Sequence, residues 1–482
     1  MKYQKTAKRG CRARFFTAGL YLFMLTAGLI LRACRGYHGA PEAPPFKVPV
    51  SFSASGDMPL NEPWWHEIDD PVMWKHVENA LGENFTIKSA YQRIKAAEAQ
   101  VKRARAPLFP WLDLGAGLGH TTKKEGSSYI NEDTILINSS VSYELDLWGR
   151  INSEVEAFEL DLSAQRADFE TARLTLSSQV AIKYFEIVAL KQEIKIIGRQ
   201  EERNRKSLEI IRDKYHFGQT DPLDLWQQEQ LVEQTISKQI EAAKALETAQ
   251  KELALLLGRT ATKSENIKTS EFLPKLPPLP ETGLPVKILK RRPDCMRALK
   301  RLMAANKRLA AAVTAQYPRL TLGASMETDS SAVKDLLENW VSTLSSSLVA
   351  PVFEGGRLQA EVLEKEARAR ELLYDYGQTL LTAIKEVEES LAIERHQQEL
   401  IGNLESRHEL AKKTSLLLKE KYLAGDVEYL RFLASQLSVD ELERQLLQER
   451  FRLIQNRIRL YKALGGPISL ASPRSKGKST AK

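Results

Sequence analysis

Pro110-Trp111-Leu112-Asp113-Leu114-Gly115 is followed 208 residues later by Pro318-Arg319-Leu320-Thr321-Leu322-Gly323, which keeps four of the six residues. The chain repeats itself well beyond this stretch, at the same offset or one residue less. The other shared landmarks are Arg93 and Ala97 with Arg301 and Ala305, Gly149-Arg150 with Gly356-Arg357, Tyr215 and Gly218 with Tyr422 and Gly425, and Leu257-Gly258 with Leu464-Gly465. A register kept through three blocks indicates that each half encodes one structural unit and that the two units are equivalent.

The repeated stretch opens a segment in which apolar residues occupy every second position, as in a strand with one apolar face. These residues are Leu112, Leu114, Ala116 and Leu118 in the first half and Leu320, Leu322, Ala324 and Met326 in the second. A second alternating run covers residues 135–147, and a run rich in Ser and Val extends over residues 341–353. Residues 121–133 are polar and predict an exposed loop. The sequence therefore predicts two hairpins, with four strands of about ten residues each.

Strands with one apolar and one small or polar face suit an outer-membrane barrel, whose wall touches lipid on one side and water on the other. A half-buried hairpin of a soluble sheet is the alternative interpretation. Four strands do not close a barrel in lipid, and an open edge leaves backbone groups unpaired in hydrocarbon at several kcal/mol each. Copies of the chain must then share strands. Two copies give eight strands with a filled interior, and three give twelve with room for a lumen.

Helices account for most of the remaining sequence. Residues 75–106 are rich in Ala, Lys, Gln and Glu and predict a helix that Pro107 and Pro110 end. Long stretches without proline predict two helices of about 65 residues, each followed by a shorter one, over about 150–215, 222–257, 357–423 and 427–464. Apolar residues recur every seven positions in the first long helix, a pattern typical of helices packed side by side. Each half is therefore predicted to be a β-hairpin attached to a long helical hairpin.

The two long helices end at related turns. Tyr215-His216-Phe217-Gly218 precedes Asp221-Pro222, and Tyr422-Leu423-Ala424-Gly425 precedes Asp426. In both turns glycine is expected to supply the left-handed C-terminal cap, and aspartate is expected to cap the next helix.

The first 33 residues carry seven basic and no acidic side chains, and they end in an apolar run over residues 15–31. This pattern predicts a secretory signal. Leu31-Arg32-Ala33-Cys34 resembles a bacterial lipobox, in which Cys34 is lipidated and becomes the mature N-terminus. A simple cleaved signal or an uncleaved anchor is the alternative. Most of the formal net charge of +8 belongs to this segment, so nucleic-acid binding is not expected of the near-neutral remainder.

No pattern in the sequence predicts an enzyme. A phosphate-binding loop for ATP is absent, and the seven histidines lack the spacing of metal ligands. Acid–base pairs on the helices match solvated faces in a chain with 27% charged residues. We therefore expect no catalytic residue, no cofactor and no metal. Once Cys11 is removed and Cys34 is acylated, Cys295 has no disulfide partner, so packing alone must hold the fold.

With these features the chain resembles the TolC-type outer-membrane efflux proteins, in particular the lipoprotein branch that serves RND-type pumps, over about residues 60–466. The motifs that show the resemblance are the lipobox at Cys34, residues 144–150 (ELDLWGR), residues 351–357 (PVFEGGR), Arg292-Pro293-Asp294 and the two Tyr-x-x-Gly turns. The resemblance implies a mostly α TolC-like protomer with four transmembrane strands, closed only as a homotrimer. It also implies an outer-membrane barrel, a helical tunnel through the periplasm, a periplasmic adaptor and an inner-membrane RND pump as partners.

The resemblance also implies site residues. The strand-to-helix junctions contain Trp148, Gly149, Arg150, Gly355, Gly356 and Arg357, and the adaptor docks at helix-turn tips marked by Tyr215, Gly218, Tyr422 and Gly425. The periplasmic aperture includes Asp224, Arg431 and Ala434, and Asp224 is the repeat equivalent of Arg431. We hypothesise that Asp224 and Arg431 from neighbouring helix pairs form the closing contact. The alternative is that both are exposed charges at helix ends, where a pair contributes only about 0–1 kcal/mol.

The predicted function is thus the exit duct of a tripartite RND-type efflux system, which conducts small molecules passively. A type I protein-secretion channel, which shares the fold, and a periplasmic adaptor or structural coiled-coil protein are the alternatives. The predicted organisation is a signal peptide at 1–33, a lipidated extended segment at 34–74, a first repeat at 75–259, a Pro-rich equatorial linker at 260–290, a second repeat at 291–466 and a disordered basic tail at 467–482.

Overall fold

The structure is a computed structural model that describes residues 42–58, 63–263, 267–331, 338 and 340–466. The predicted signal at 1–33, Cys34 and the predicted tail at 467–482 lie outside the described residues. The α-helices and strands are, in order, α1 (Pro71–Glu83), α2 (Phe85–Arg105), β1 (Trp111–Glu125), β2 (Ser128–Leu145), α3 (Arg150–His216), α4 (Pro222–Leu256), α5 (Pro285–Arg291), α6 (Pro293–Thr314), β3 (Arg319–Ser330), β4 (Trp340–Val349), α7 (Arg357–Ala424) and α8 (Tyr429–Ala463). The predicted mostly helical fold with four strands is confirmed.

The chain folds into two compact units, and each draws on both halves of the sequence. Of the described residues, the first unit contains 110–153 and 306–369, and the second contains 42–109, 154–305 and 370–466. All named strands belong to the first unit. Within the described part of the chain, no helix is both long enough and apolar enough to cross a membrane.

The first unit is built on one antiparallel sheet with the strand order β1-β2-β3-β4. Its two hairpins are joined by pairing of β2 with β3. The register places Leu112, Val141, Ala324 and Leu344 in one row across the sheet, so the alternation of apolar residues is in phase in all four strands. Among the described strands, β1 and β4 each have a single partner, which leaves one edge of each unpaired.

The predicted loop over residues 121–133 is wrong. β1 and β2 both continue through this stretch and are joined by a two-residue turn at Gly126 and Ser127. Gly126 has a φ of +62°, the left-handed conformation that tight hairpin turns require. Polar cross-strand pairs accompany the ladder, and His120 Nδ1 lies 2.6 Å from Asp133 Oδ1. The stretch is exposed as predicted, but it is a hairpin end.

The predicted single helix over residues 75–106 is two helices, α1 and α2, which are separated at Asn84. The backbone of Asn84 is extended, and its side-chain oxygen accepts a hydrogen bond from the N–H of Thr86 at 2.7 Å, which caps α2. Its side-chain nitrogen donates to the carbonyl oxygen of Leu256, at the end of α4, at 2.8 Å. The break is therefore fixed by one local and one long-range hydrogen bond from the same amide.

The core of the second unit is centred on Trp64 and Tyr184, both fully buried. Trp64 donates its indole N–H to Ser177 Oγ at 3.1 Å. The Tyr184 hydroxyl donates to the carboxylate of Asp70 at 3.0 Å and accepts from the backbone N–H of Ser270 at 2.8 Å. Burial raises the pKa of Tyr184 to about 12, so the hydroxyl keeps its proton at neutral pH. The polar side-chain atoms of Trp64, Ser177, Tyr184 and Asp70 all have a partner, as a buried network requires.

A buried arginine holds the Pro-rich linker against α7 and α8. Arg457 is 1% exposed and donates to the Glu394 carboxylate at 2.6 Å. It also donates to the carbonyl oxygens of Pro277 and Pro278 at 2.8 and 3.0 Å. Glu394 is only 3% exposed, and its carboxylate also accepts from Asn456 at 3.2 Å and from Gln398 at 3.1 Å.

The Arg292-Pro293-Asp294 motif has a similar structural role at the start of α6. Arg292 donates to Asp294 at 2.6 Å and to Glu386 of α7 at 2.6 Å. It also donates to the carbonyl oxygen of Ala463, at the end of α8, at 2.9 Å. The motif therefore joins three helices of the second unit.

Candidate functional site

Most apolar residues of the sheet lie on one face, and this face is exposed. The apolar residues on the opposite face are Trp111, Ile130, Leu136, Val341 and Val349. Leu114 is 79% exposed, and Leu118 and Leu344 are each 86% exposed. We call this surface the apolar band, and its members are Leu112, Leu114, Ala116 and Leu118 on β1, Ile135, Ile137, Val141, Tyr143 and Leu145 on β2, Leu320, Leu322, Ala324 and Met326 on β3, and Trp340, Leu344 and Leu348 on β4. A continuous exposed apolar surface of this size marks contact with a membrane or a partner.

The opposite face of the sheet, which we call the polar face, consists mostly of small, hydroxyl and carboxylate side chains. A Cβ on Gly115 would lie 2.2 Å from Asn138 Oδ1, and one on Gly323 would lie 2.6 Å from Ser345 Oγ. These two glycines therefore let the neighbouring polar side chains lie flat against the sheet. The polar face leaves open space where larger side chains would fill it.

β2 passes into α3 through a junction that contains three predicted residues. Asp146 accepts hydrogen bonds from two backbone N–H groups in the first turn of α3, at 2.8 and 3.0 Å, which satisfies donors that a helix start leaves free. Gly149 has a φ of +72°, so the chain turns there in a left-handed conformation. Arg150 donates to Glu144 at 2.8 Å, and Trp148 donates to the carbonyl oxygen that precedes β3 at 2.7 Å.

The second junction, between β4 and α7, uses two glycines. Gly355 and Gly356 have φ values of +61° and +85°. Arg357 donates from Nε to Glu354 at 2.8 Å, so an arginine again follows a left-handed glycine and binds a nearby glutamate. The six predicted junction residues thus shape the strand-to-helix passages, and none of their contacts resembles a catalytic arrangement.

The turn between α3 and α4 has the predicted caps. Gly218 has a φ of +67°, and its N–H donates to the carbonyl oxygen of Tyr215 at 2.9 Å. The next N–H donates to the carbonyl oxygen of Lys214 at 2.8 Å, which completes a glycine-capped helix end. Asp221 then accepts from the backbone N–H of Leu223 at 2.8 Å and caps α4.

In the turn between α7 and α8, only the glycine cap is as predicted. Gly425 has a φ of +84° and its N–H donates to the carbonyl oxygen of Tyr422 at 3.1 Å. The prediction that Asp426 caps the next helix is wrong, because α8 is capped at Glu428, whose side chain makes no capping hydrogen bond. The backbone N–H of Asp426 donates to the carbonyl oxygen of Lys421 at 2.9 Å, so Asp426 completes the end of α7.

The tyrosines of the two turns differ in their surroundings. Tyr215 is exposed, whereas Tyr422 packs on Phe432, with ring centroids 5.8 Å apart and planes 8° from parallel. Lys214 places its ammonium 4.2 Å from the centre of the Tyr422 ring, on α7. The two repeats therefore share a turn geometry but not a side-chain environment, and the second tip is the more tightly packed.

Near this tip lies a buried polar network that sequence analysis missed. Tyr429 donates its hydroxyl to the Gln228 side chain, and Gln228 donates to the carbonyl oxygen of Asn204 at 2.7 Å. The Asn204 side chain donates to Thr235 at 3.0 Å and accepts from Gln436 at 3.1 Å. Burial raises the pKa of Tyr429, so its hydroxyl stays a donor. One sequence feature points to this network: Gln228 and Gln436 lie 208 residues apart, which is one of the two offsets at which the repeats match.

The predicted aperture residues lie in the first turn of α4 and the first two turns of α8. Asp224 is half-buried and accepts a hydrogen bond from Thr220 Oγ1 at 2.6 Å. Arg431 and Ala434 are exposed. Over the residues that the structure describes, Asp224 and Arg431 make no ion pair with each other within one chain, so their closing contact stays a prediction about different copies.

Cys34 lies outside the described residues, and Cys295 is buried. Burial raises the pKa of the Cys295 thiol to about 12, so it stays protonated and unreactive. The described ranges contain no group of three or more His, Cys, Asp or Glu side chains that could hold a metal ion.

The sequence model of the Outer membrane efflux protein family matches residues 76–259 and 284–466. The chain belongs to this family. This membership confirms both the resemblance drawn from the motifs and the prediction of an efflux function.

Relatives of this outer membrane efflux protein carry export and efflux names. It is 30% identical over 423 residues to the pyoverdine export outer membrane protein OpmQ of Pseudomonas putida, covering 85% of this chain and 89% of the relative. It is 25% identical to the probable outer membrane lipoprotein SilC of Salmonella typhimurium, with 93% and 98% covered. Its fold matches the Campylobacter jejuni outer membrane channel CmeC with a TM-score of 0.83 at 21% identity, covering 90% of this chain and 95% of that one.

Proposed function

We propose that three copies of this efflux protein pool their strands into one twelve-stranded β-barrel in the outer membrane, and that this barrel is the exit duct of a tripartite RND-type efflux system. The observation that supports this best is an exposed apolar band on a sheet with two unpaired edges. In hydrocarbon such edges expose backbone groups that nothing else can satisfy. Pairing with neighbouring copies satisfies them.

The height of the apolar band fits a membrane. On β2 it extends from Ile135 to Leu145, and the ten steps between these residues span roughly 33 Å at about 3.3 Å per step. A strand tilt of about 40° reduces this to about 25 Å along the membrane normal, which is the usual height of the lipid-facing belt of outer-membrane barrels.

The strand directions fit closure between copies. β1 and β4 run in opposite directions because three antiparallel pairings separate them, so β4 of one copy can pair in an antiparallel manner with β1 of the next. Eight strands from two copies would give an interior filled by side chains. The glycines and serines of the polar face are too small to fill a core, which favours three copies and an open lumen.

In this proposal the tips of the two helical hairpins form the docking surface for the periplasmic adaptor. Exposed apolar side chains lie at or beside the two tips, and they are Phe217, Leu223, Leu423 and Leu430. We place the periplasmic adaptor at these tips, around Tyr215, Gly218, Tyr422 and Gly425. An inner-membrane RND pump behind the adaptor supplies the energy, so the duct itself conducts passively and catalyses nothing.

A lipid anchor completes the proposal. Residues 1–33 act as the signal, Cys34 is acylated, and residues 35–74 lead to the helices. The relative SilC is named a lipoprotein, which supports this arrangement. Residues 260–290, part of which Arg457 holds in place, form a belt around the helices.

Affinity purification of the mature protein from cell envelopes tests the function. We expect a periplasmic adaptor and an RND pump to co-purify after mild cross-linking. Recovery of an ATP-driven protein exporter in their place would support the type I secretion alternative, and a water-soluble monomer without membrane partners would contradict both channel proposals.

The gate hypothesis predicts an effect on conductance in planar bilayers. Asp224→Ala and Arg431→Ala each remove one side of the closing contact, so each should raise the open probability of the resting channel by up to about fivefold, the effect of about 1 kcal/mol. The double variant should add little to the larger single effect, because both changes remove one interaction. Lys206→Ala, which removes an exposed ion pair with Glu202 on α3, is the control. Unchanged conductance in both single variants would refute the gate.

A further inference from the structure

We propose that Asp113, Glu327 and Asp329 on the polar face make this channel favour cationic over anionic solutes. This inference rests on the trimeric barrel proposed above, in which the polar face lines the lumen. It adds a selectivity determinant in the barrel itself, away from the aperture residues Asp224, Arg431 and Ala434.

The three carboxylates share the surroundings that such a role requires. Each is exposed, and each lies opposite an uncharged cross-strand partner on β2: Asp113 opposite Ser140, Glu327 opposite Asn138 and Asp329 opposite Leu136. No ion pair to any of the three is found in the described part of the chain. Their charges are therefore directed into the solvent above the polar face.

Basic side chains on the same face do not balance these charges. Arg319 is the basic residue of β3 on this face, and Arg150 at the nearby junction is bound to Glu144 at 2.8 Å. The charges of the three carboxylates and of Arg319 sum to two negative charges per chain on the polar face, level with the apolar band of the opposite face. Beyond the band, towards the hairpin turn, Lys123 is accompanied by two glutamates, which are Glu125 and Glu132.

The size of the effect depends on screening. Three chains would place six net negative charges around one lumen, and rings of carboxylates select cations in pores. The Debye length is about 30 Å at 0.01 M salt, about 10 Å at 0.1 M and about 3 Å at 1 M. A wide barrel should therefore prefer cations clearly at low salt and hardly at all at 1 M. At the aperture, the acidic Asp224 is offset by the basic Arg431 and Ala434 is neutral, so these residues add no net negative charge.

Reversal potentials of the purified full-length channel in planar bilayers, under a KCl gradient, test this inference. We expect a K⁺-to-Cl⁻ permeability ratio of roughly two to five near 0.01–0.1 M KCl that falls towards one near 1 M. The isosteric variant Asp113→Asn/Glu327→Gln/Asp329→Asn should lose at least half of the preference at low salt. Arg319→Gln should raise the ratio, which gives a second variant with the opposite sign.

Asp133→Asn is the matched control, because Asp133 lies on the other face of the same hairpin, next to His120. Its ratio should equal that of the unmodified channel. A ratio of one at low salt in the unmodified channel, or an unchanged ratio in the triple variant, would overturn the inference while leaving the barrel intact. Failure of the unmodified protein to form channels would instead overturn the proposed function, and the inference with it.

Discussion

Leu114→Arg should prevent assembly of this protein into the outer membrane. Leu114 is 79% exposed and lies near the middle of the apolar band, with Ser139 of β2 opposite it. An arginine on the lipid-facing side of a barrel at mid-membrane depth costs about 2–4 kcal/mol, and a trimer incurs this cost three times. We expect the SDS-resistant oligomer in the outer-membrane fraction to be lost and the chain to be degraded.

Asp113→Arg is the matched control for Leu114→Arg, because Asp113 is the adjacent residue on the polar face and lies at almost the same depth. The arginine would there project into water, so assembly should stay within about twofold of the unmodified protein. Equal loss in both variants, or normal assembly of Leu114→Arg, would show that the apolar band does not face lipid.

Arg457→Ala should strongly destabilise the helical part of the protein. The substitution leaves the buried carboxylate of Glu394 without its ion-pair partner and removes two hydrogen bonds to Pro277 and Pro278. Removing one partner of a buried ion pair costs about 3–5 kcal/mol, because the remaining charge stays desolvated. Thermal unfolding followed by circular dichroism at 222 nm in detergent should show a midpoint lower by several degrees.

Two variants separate the buried charge from side-chain size. Arg450→Ala removes an exposed ion pair with Glu405, and exposed pairs contribute only about 0–1 kcal/mol, so its midpoint should barely change. Arg457→Met/Glu394→Leu removes both buried charges and should recover most of the stability that Arg457→Ala loses. A midpoint for Arg457→Ala close to that of Arg450→Ala would contradict the role given to Arg457.

Sequence alone predicted the elements whose pattern is repeated and periodic. Alternation in residues 112–118 and 320–326 placed two strands and their apolar faces correctly. The alternation pattern did not reveal the strands over residues 121–133. Strands that are solvent-exposed on both faces need no apolar residues, so their composition is that of a loop. On β4, serine occupies both faces, so only the register with β3 shows that Leu344 and Leu348 belong to the apolar band.

The remaining differences come from contacts between distant parts of the chain. The break at Asn84 depends on a hydrogen bond to Leu256, which is 172 residues away. The residues around Asn84 do not predict this bond. Asp221 caps α4 and is followed by Pro222, which begins that helix. Asp426 is followed by Val427, and α8 begins only at Tyr429, so the two turns differ in their caps. The polar network around Asn204 joins three helices, so no single helical pattern predicts it.

The mass of the intact particle, measured by native mass spectrometry after extraction in mild detergent, tests most directly whether copies share one barrel. A shared twelve-stranded barrel requires a particle of three mature chains, at every detergent concentration that keeps the sheet folded. A particle of two chains would contradict the open lumen, and a membrane-inserted particle of one chain would contradict the sharing of strands itself.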